Sequence, residues 1–277
     1  MKNHIFQIYY SDATLDQVDP GFIPLDNTGQ RPDWREYWPM RRFLIENTLD
    51  PNARYGFLSP KFMEKTGLTA VEAMAFVNSI PDDVDVVTFS PFFDQAAFFQ
   101  SVFEHAALCH PGIGPVIEEA VRLTTPGLKT SEIVMSSVQT VFCNYLVAKP
   151  AFWLQWLEKC ERIFEVAEAA DSPLAQQLND DVKYESQRAP AKVFIIERMA
   201  SLLLATQPGW KVRNFNPTTL PMGHAVLSQF NDDLLTLDAL KHMAKETGFP
   251  QYMGAYLRKR IQVIERLNAV TLAKAPA

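Results

Sequence analysis

Residues 84–93, VDVVTFSPFF, are almost continuously apolar, and a strand of that composition is stable only where both of its faces are covered. Parallel and mixed sheets with helices on either side meet that requirement. The flanking segments alternate to match. HIFQIYY at 4–10 is a β-prone run that ends at Ser11-Asp12, and ARYGFLSPKF at 53–62 reads as a second strand, with Gly56 where a backbone or ligand approaches closely. Between them, DWREYWPMRRFLIENT at 33–48 reads as a helix with Asp33 as N-cap and Pro39 bending its first turns. TAVEAMAFVNSI begins at Thr69, has capping-box spacing to Glu72 and carries an apolar helical face. The order strand, helix, strand, helix, strand predicts an α/β fold: a mixed, mostly parallel sheet flanked by helices, Rossmann-like, with right-handed crossovers.

Further along, the pattern predicts helices over 95–110 and 114–123, a strand over 138–148 (VQTVFCNYLVA) and an apolar helix opened by Pro150 in its favoured first-turn place. Residues 172–190 are polar and irregular at their end; KVFIIERMASLLLA at 192–205 reads as one buried helix and WKVRNFN at 210–216 as a short last strand. From Asn231 the chain reads as a helical tail whose end, 271–277, is unstructured. The expected organisation is an α/β domain over 1–230 with a helical appendage, 231–277, belonging to the same domain.

Charge and composition exclude several functions. With 32 acidic residues against 26 Lys and Arg, the net charge of -6 lacks the basic field that nucleic-acid binding needs. No segment approaches the roughly 20 apolar residues of a membrane span, and MKNHIFQIYYSD has no signal-like apolar stretch, so the expected location is cytoplasmic. Cys109, Cys143 and Cys160 are odd in number and widely spaced, which fits buried thiols better than disulfides or a zinc site. There is no P-loop, GxGxxG, GxSxG elbow, HExxH or kinase set, and the histidines at 4, 105, 110, 224 and 242 lack ligand spacing.

Polar residues gather instead after the predicted strands, where an open α/β sheet assembles its site. Tyr9, Tyr10, Ser11 and Asp12 follow the first strand. The Pro- and Gly-rich loop 19–35 adds Asp26, Asn27 and Arg31, and the helix after it adds Asp33, Glu36, Tyr37, Arg41 and Arg42. Tyr55, Ser59 and Lys61 come with the second strand, Ser90 and Asp94 with the third, Asn144 and Tyr145 with the next. Aromatic rings with cations and a few carboxylates suit a nucleotide sugar: rings stack on base or sugar, Arg or Lys balances the diphosphate, and a carboxylate deprotonates an acceptor hydroxyl.

In order, an opening IYY strand, a loop ending in PLDN, an acidic-aromatic helix, YGFLSPKF, DVDVVTFSP, CNYLVAKPAFW and a late FIIERMASLLL helix resemble a family of bacterial glycosyltransferase-like proteins from surface-polysaccharide loci, a group labelled as a domain of unknown function with a GT-A-like fold. The resemblance covers about residues 4–215. It implies a GT-A-like sheet and attaches the family's recurring positions to Tyr55, Gly56, Asn144, Glu197 and Arg198.

The expected activity is that of a glycosyltransferase of hexosyl-transferring type, moving a sugar from a nucleotide-sugar donor to a glycan or small acceptor in surface-polysaccharide synthesis. Base and ribose are expected near Tyr9, Tyr10, Ser11 and Asp12, the diphosphate near Arg31, Arg41, Arg42 and Lys61, and acceptor or sugar near Tyr55, Ser59, Asn144 and Glu197, with Ser90 and Arg198 as further substrate- or donor-binding candidates. Candidate catalytic carboxylates are Asp26, Asp33, Glu36 and Glu197. Many GT-A enzymes hold Mn²⁺ or Mg²⁺ through an Asp-x-Asp at a strand end. Here Asp83-Val84-Asp85 precedes its strand, so no metal ligands are assigned. Two alternatives stand beside this reading: a non-catalytic carbohydrate- or protein-binding module on the same sheet, and an interaction protein whose helical tail mediates oligomerisation, including homo-oligomerisation, or contacts a partner.

Overall fold

A computed structural model describes residues 1–184 and 187–273. Among them eight strands form: β1 (Lys2–Tyr9), β2 (Ile23–Asp26), β3 (Ala53–Leu58), β4 (Val86–Thr88), β5 (Leu146–Ala148), β6 (Asp181–Tyr184), β7 (Gln187–Pro190) and β8 (Val212–Asn214). Six of these make one sheet in the order β2-β1-β3-β5-β4-β8; β6 and β7 pair as a separate antiparallel ribbon. β1 runs parallel to both β2 and β3, and β4 parallel to β8, while β5 lies antiparallel between β3 and β4. The fold is therefore α/β with a mixed, mostly parallel sheet flanked by helices.

Side-chain alternation sorts the sheet's residues into two cores. Ile8, Phe57, Val86, Leu146 and Ala148 point into the larger one, roofed by helices Tyr37–Glu46, Pro150–Ala169 and Met199–Thr206. Ile5, Leu58, Val87 and Val147 point the other way, under helix Ala70–Ser79. Burial on both faces is why the central segments carry so few polar residues. Gly56 lets β5 approach β3: a Cβ there would lie 2.7 Å from Val147 Cγ2 and 3.2 Å from the Leu146 carbonyl oxygen. The close approach expected at this glycine is made by the neighbouring strand.

Several elements are shorter than their apolar runs. β4 stops at Thr88 because Pro91 has no N–H and Phe92 takes a left-handed backbone (φ 65°). Of 138–148 only the last three residues are strand, since Phe142–Tyr145 form a turn. The run 192–205 divides into helices Ala191–Ile196 and Met199–Thr206, with Glu197-Arg198 at the break. The 33–48 segment opens with a 3-10 turn, Pro32–Trp34, before helix Tyr37–Glu46, and Asp33 makes ion pairs rather than an N-cap. The 95–110 segment is two helices, Phe93–Phe98 and Val102–Cys109, and the loop 19–35 contains the edge strand β2. Thr69 does cap Ala70–Ser79, and its reciprocal bonds with Glu72 form as spaced.

The C-terminal helices, Asn231–Thr247 and Pro250–Ala273, turn back on each other at Gly248 (φ 69°) and enclose a third core with Phe93, Phe98, Leu234, Leu237, Tyr256 and Val263. Lys241 is buried in this core and donates to the carbonyls of Ala96 and Phe99. Residues 274–277, part of the end read as unstructured, lie outside the described residues. Among those described, no helix is long and apolar enough to cross a membrane.

Candidate functional site

The chain leaves β1 for β2 on one side and returns to β3 on the other, so the strand order reverses between β1 and β3. Crevices at such reversals, beyond the carboxyl ends of the strands, are where open α/β sheets hold ligands. Tyr10 follows β1, Ser59 follows β3, and the antiparallel β5 brings the turn before it to the same edge.

That turn is strained. Cys143 (φ 60°) and Asn144 (φ 54°) are both left-handed, and Tyr145 N–H donates to the Phe142 carbonyl at 3.2 Å, the pattern of a type I′ turn. Asn tolerates this backbone; Cys does not favour it. The turn persists because Ser90 Oγ accepts from Phe142 N–H at 3.0 Å and Ser201 Oγ from Val141 N–H at 2.9 Å. Below it, the buried hydroxyls of Ser59 and Tyr145 lie 2.7 Å apart. Arg35 (φ 48°, ψ -131°), next to Glu36, is a second strained non-glycine residue on this side. Strain of this kind collects where function fixes a backbone that packing alone would not choose.

Around the turn stand Tyr10, Glu36, Lys65, Cys143 and Glu197. Each is half-buried, and together they make a partly open recess of polar side chains beside the strained turn. Lys65 Nζ lies 3.1 Å from Cys143 Sγ. Burial pushes the Cys143 thiol up to about 11 against the pull of Lys65. Burial also raises the Glu197 carboxyl above the ordinary glutamate range; Glu36 adds to the rise, and Arg198 and Lys65 oppose it. Tyr10 is raised by burial first and by Glu36 second, and its buried hydroxyl lies beside Glu36 without a hydrogen bond of ordinary geometry. Asn144 Oδ1 is likewise buried without a partner. Buried polar atoms are nearly always paired, so two orphans in one recess point to groups that a ligand satisfies.

Other expected site residues lie elsewhere or are engaged. Tyr9 and Asp26 end β1 and β2 side by side, and the exposed Asp26 accepts from Thr28 N–H at 2.7 Å, which lowers its pKa. Ser11 is half of a capping box with Thr14. Arg31 is bound by Asp33 and Glu168 at 2.8 and 2.6 Å, and Asp33 also takes Lys192 at 2.8 Å. Arg41 makes a two-pronged pair with Glu161, both bonds 2.7 Å, and Arg42 donates to Gln30 and to the Asp26 carbonyl. Tyr55 sits near the opposite edge, stacked on His4 at 5.2 Å and accepting from Asp50 N–H. Lys61 is exposed at the start of helix Phe62–Thr66, and Arg198 is buried, donating to the carbonyls of Val102 and Phe194.

The structure thus brings together Tyr10, Glu36, Ser59, Ser90, Asn144, Tyr145 and Glu197 from the expected residues, and adds Lys65 and Cys143. Lys65 and Cys143 carry no sequence motif; the one available signal was their position just after β3 and just before Asn144.

A hard divalent cation needs several oxygen ligands. Asp83 and Asp85 do not supply them at the recess: they precede β4 and pair with Lys211 at 2.9 Å and Lys149 at 3.0 Å. The buried Asp94, beyond β4, accepts the N–H groups of Gly223 and His224 at 2.8 Å each. No cluster of three or more His, Cys, Asp or Glu suited to a metal occurs among the described residues. The donor set does not fit a resident metal, and no chemistry is derived through one.

Comparison with family models, with curated proteins and with solved structures gives no match.

Proposed function

We propose that this chain is a glycosyltransferase that uses a nucleotide-sugar donor and a glycan or small hydroxyl acceptor, working in the cytoplasm in surface-polysaccharide synthesis on a GT-A-like sheet. The observation that carries the reading is the half-buried Glu197 beside the strained turn at the β1/β3 reversal, its carboxyl raised by burial and by the charge of Glu36, with the unpaired hydroxyl of Tyr10 on the same side. A carboxylate whose proton affinity is raised towards neutrality accepts a hydroxyl proton better than an ordinary one. Glu197 therefore serves as the base for the acceptor, with Glu36 supporting its proton affinity. Tyr10 offers a ring face and an unpaired hydroxyl to the donor, and Asn144 Oδ1 accepts from a sugar hydroxyl. Lys65 is the cation nearest to the developing charge of the departing diphosphate. Arg31 and Arg41, first candidates for that task, already hold carboxylates in two-pronged pairs.

The test is calorimetric titration with UDP-, GDP- and CMP-sugars, with and without Mn²⁺, followed by donor-hydrolysis assays. Binding and slow hydrolysis of one donor is the expected result, with hydrolysis lost but binding kept in Glu197→Gln, and binding itself weakened in Tyr10→Ala. Glycan binding with indifference to every nucleotide would instead favour the non-catalytic module, and no binding across the panel would sink the proposal.

A further inference from the structure

Helix Pro250–Ala273 has two unlike faces. Tyr256 and Val263 are fully buried against the rest of the molecule, and Arg260 on that side is held by Glu104 at 2.8 Å. On the adjoining flank, about a third of a turn round the helix, Leu257, Ile261 and Ile264 are 47%, 55% and 38% exposed. With Gly254 and Asn268 they fall at alternating spacings of three and four residues, the seam spacing of a two-stranded coiled coil. A cluster of large apolar side chains at that spacing is uncommon on a surface that faces only water.

The charges beside the seam identify the partner. Arg258 and Glu265 are exposed, lie on the same flank of the stripe, and make no ion pair among the described residues. Rotating the helix by a half-turn about an axis through Ile261 sets Leu257 against Ile264 of the copy and Arg258 against Glu265 of the copy. The operation is self-consistent: each helix then offers one Arg and one Glu to the other, and the apolar seam closes on itself, as a two-fold interface requires. A parallel pairing would instead call on Arg260 to meet Glu265, and Arg260 is already committed to Glu104.

We infer that the exposed face of Pro250–Ala273 binds a second copy of this chain, antiparallel and centred on Ile261. The contact is short, so the dimer forms and dissociates with concentration in the way of small interfaces. The helix lies on the C-terminal hairpin, and the inference does not depend on what the recess binds.

Sedimentation equilibrium of the full chain over a concentration series tests it. The wild type is expected to pass from monomer to dimer, and Ile261→Asp, at an exposed position, to stay monomeric with unchanged helical circular dichroism. Glu265→Arg alone should weaken the dimer roughly tenfold or more by setting like charges opposite each other, and Arg258→Glu combined with Glu265→Arg should restore it. Orientation is read from cysteine cross-linking in a Cys109→Ser background, because Cys109 is exposed. Ile261→Cys should cross-link to itself on mild oxidation. Leu257→Cys should not, since the antiparallel arrangement separates its two copies by about 12 Å along the axis. A monomer at every concentration, a dimer indifferent to Ile261→Asp, no recovery in the double charge swap, or ready self-cross-linking at Leu257→Cys would each overturn the inference.

Discussion

Two charge-rich regions border the first half of the sheet, and they are built on opposite rules. Where Tyr37–Glu46 packs against Pro150–Ala169, the charges at the contact are answered: Arg31 with Asp33 and Glu168, Arg41 with Glu161, Lys192 with Asp33 and Asn179, and Trp34 Nε1 donates to Glu168 at 3.0 Å. Arg41 lies 4.2 Å from the Phe164 ring and Lys192 4.2 Å from Trp34. In the recess at the β1/β3 reversal, Tyr10 and Asn144 have unpaired buried atoms, burial and the charge of Glu36 raise the Glu197 carboxyl, and the backbone is strained at Arg35, Cys143 and Asn144. The first arrangement holds two helices in register; the second keeps bonding capacity in reserve. Number of charges does not separate structure from function here. Whether those charges are already satisfied does.

The sharpest way to break the contrast is Lys192→Met. It removes a 2% exposed ammonium shared by Asp33 and Asn179, and leaves Asp33 short of a partner. A loss of about 2–3 kcal/mol in denaturant unfolding is expected, because Asn179 Oδ1 and Asp33 each lose a charged donor while Asp33 keeps Arg31. A loss under about 1 kcal/mol would mean that the closed network is incidental to stability. Glu161→Gln is milder. It weakens the double bond to Arg41 and the bond from the Tyr37 hydroxyl at a partly exposed site, for an expected loss of about 1–2 kcal/mol by the same measurement.

In the recess the signs reverse. Glu197 is raised above its unfolded value, so its charge costs stability once the pH climbs past the unfolded glutamate range and towards the folded value. Glu197→Gln should therefore unfold at a higher temperature than the parent at pH 7–8, by roughly 2 °C for about 1 kcal/mol in a chain of this size, and match it near pH 4. The same variant should lose donor turnover. Equal stability at both pH values would remove the case for a strained carboxyl. The smallest effect is expected at Arg35→Gly, which relieves a backbone strained at φ 48° without costing a recorded side-chain bond; a gain of about 0.5–1 kcal/mol in thermal unfolding would confirm that the strain is real.

Much of the frame was legible in the sequence. β1, β3, the capped helix after Thr69 and the long helix after Pro150 follow from apolar period, capping-box spacing and proline placement, signals that act over a few residues. What escaped depends on partners far along the chain. Arg31 and Arg41 read as available cations because Glu161 and Glu168 lie 120 to 137 residues away. The break at Glu197-Arg198 falls inside an unbroken apolar run, and the left-handed turn before β5 uses Cys and Asn where a turn is usually announced by glycine. Asn144 and Glu197 were nonetheless chosen from the sequence, while Lys65 and Cys143 became visible only once β3 and β5 lay side by side.

The insertion of β5 also dictates the order of assembly. β1, β2 and β3 are complete by residue 58, and β4 by 88, yet β4 never touches β3; the strand joining them, β5, is made of residues 146–148. The register that links the two halves, Tyr55 to Ala148 and Val86 to Ala148, spans 93 and 62 residues of chain. Closing loops of that length is slow compared with winding helices, so the sheet stays in two unjoined pieces until a three-residue strand arrives and zips them together. The turn that carries Cys143 and Asn144 is held beside β3 only once β5 has paired there.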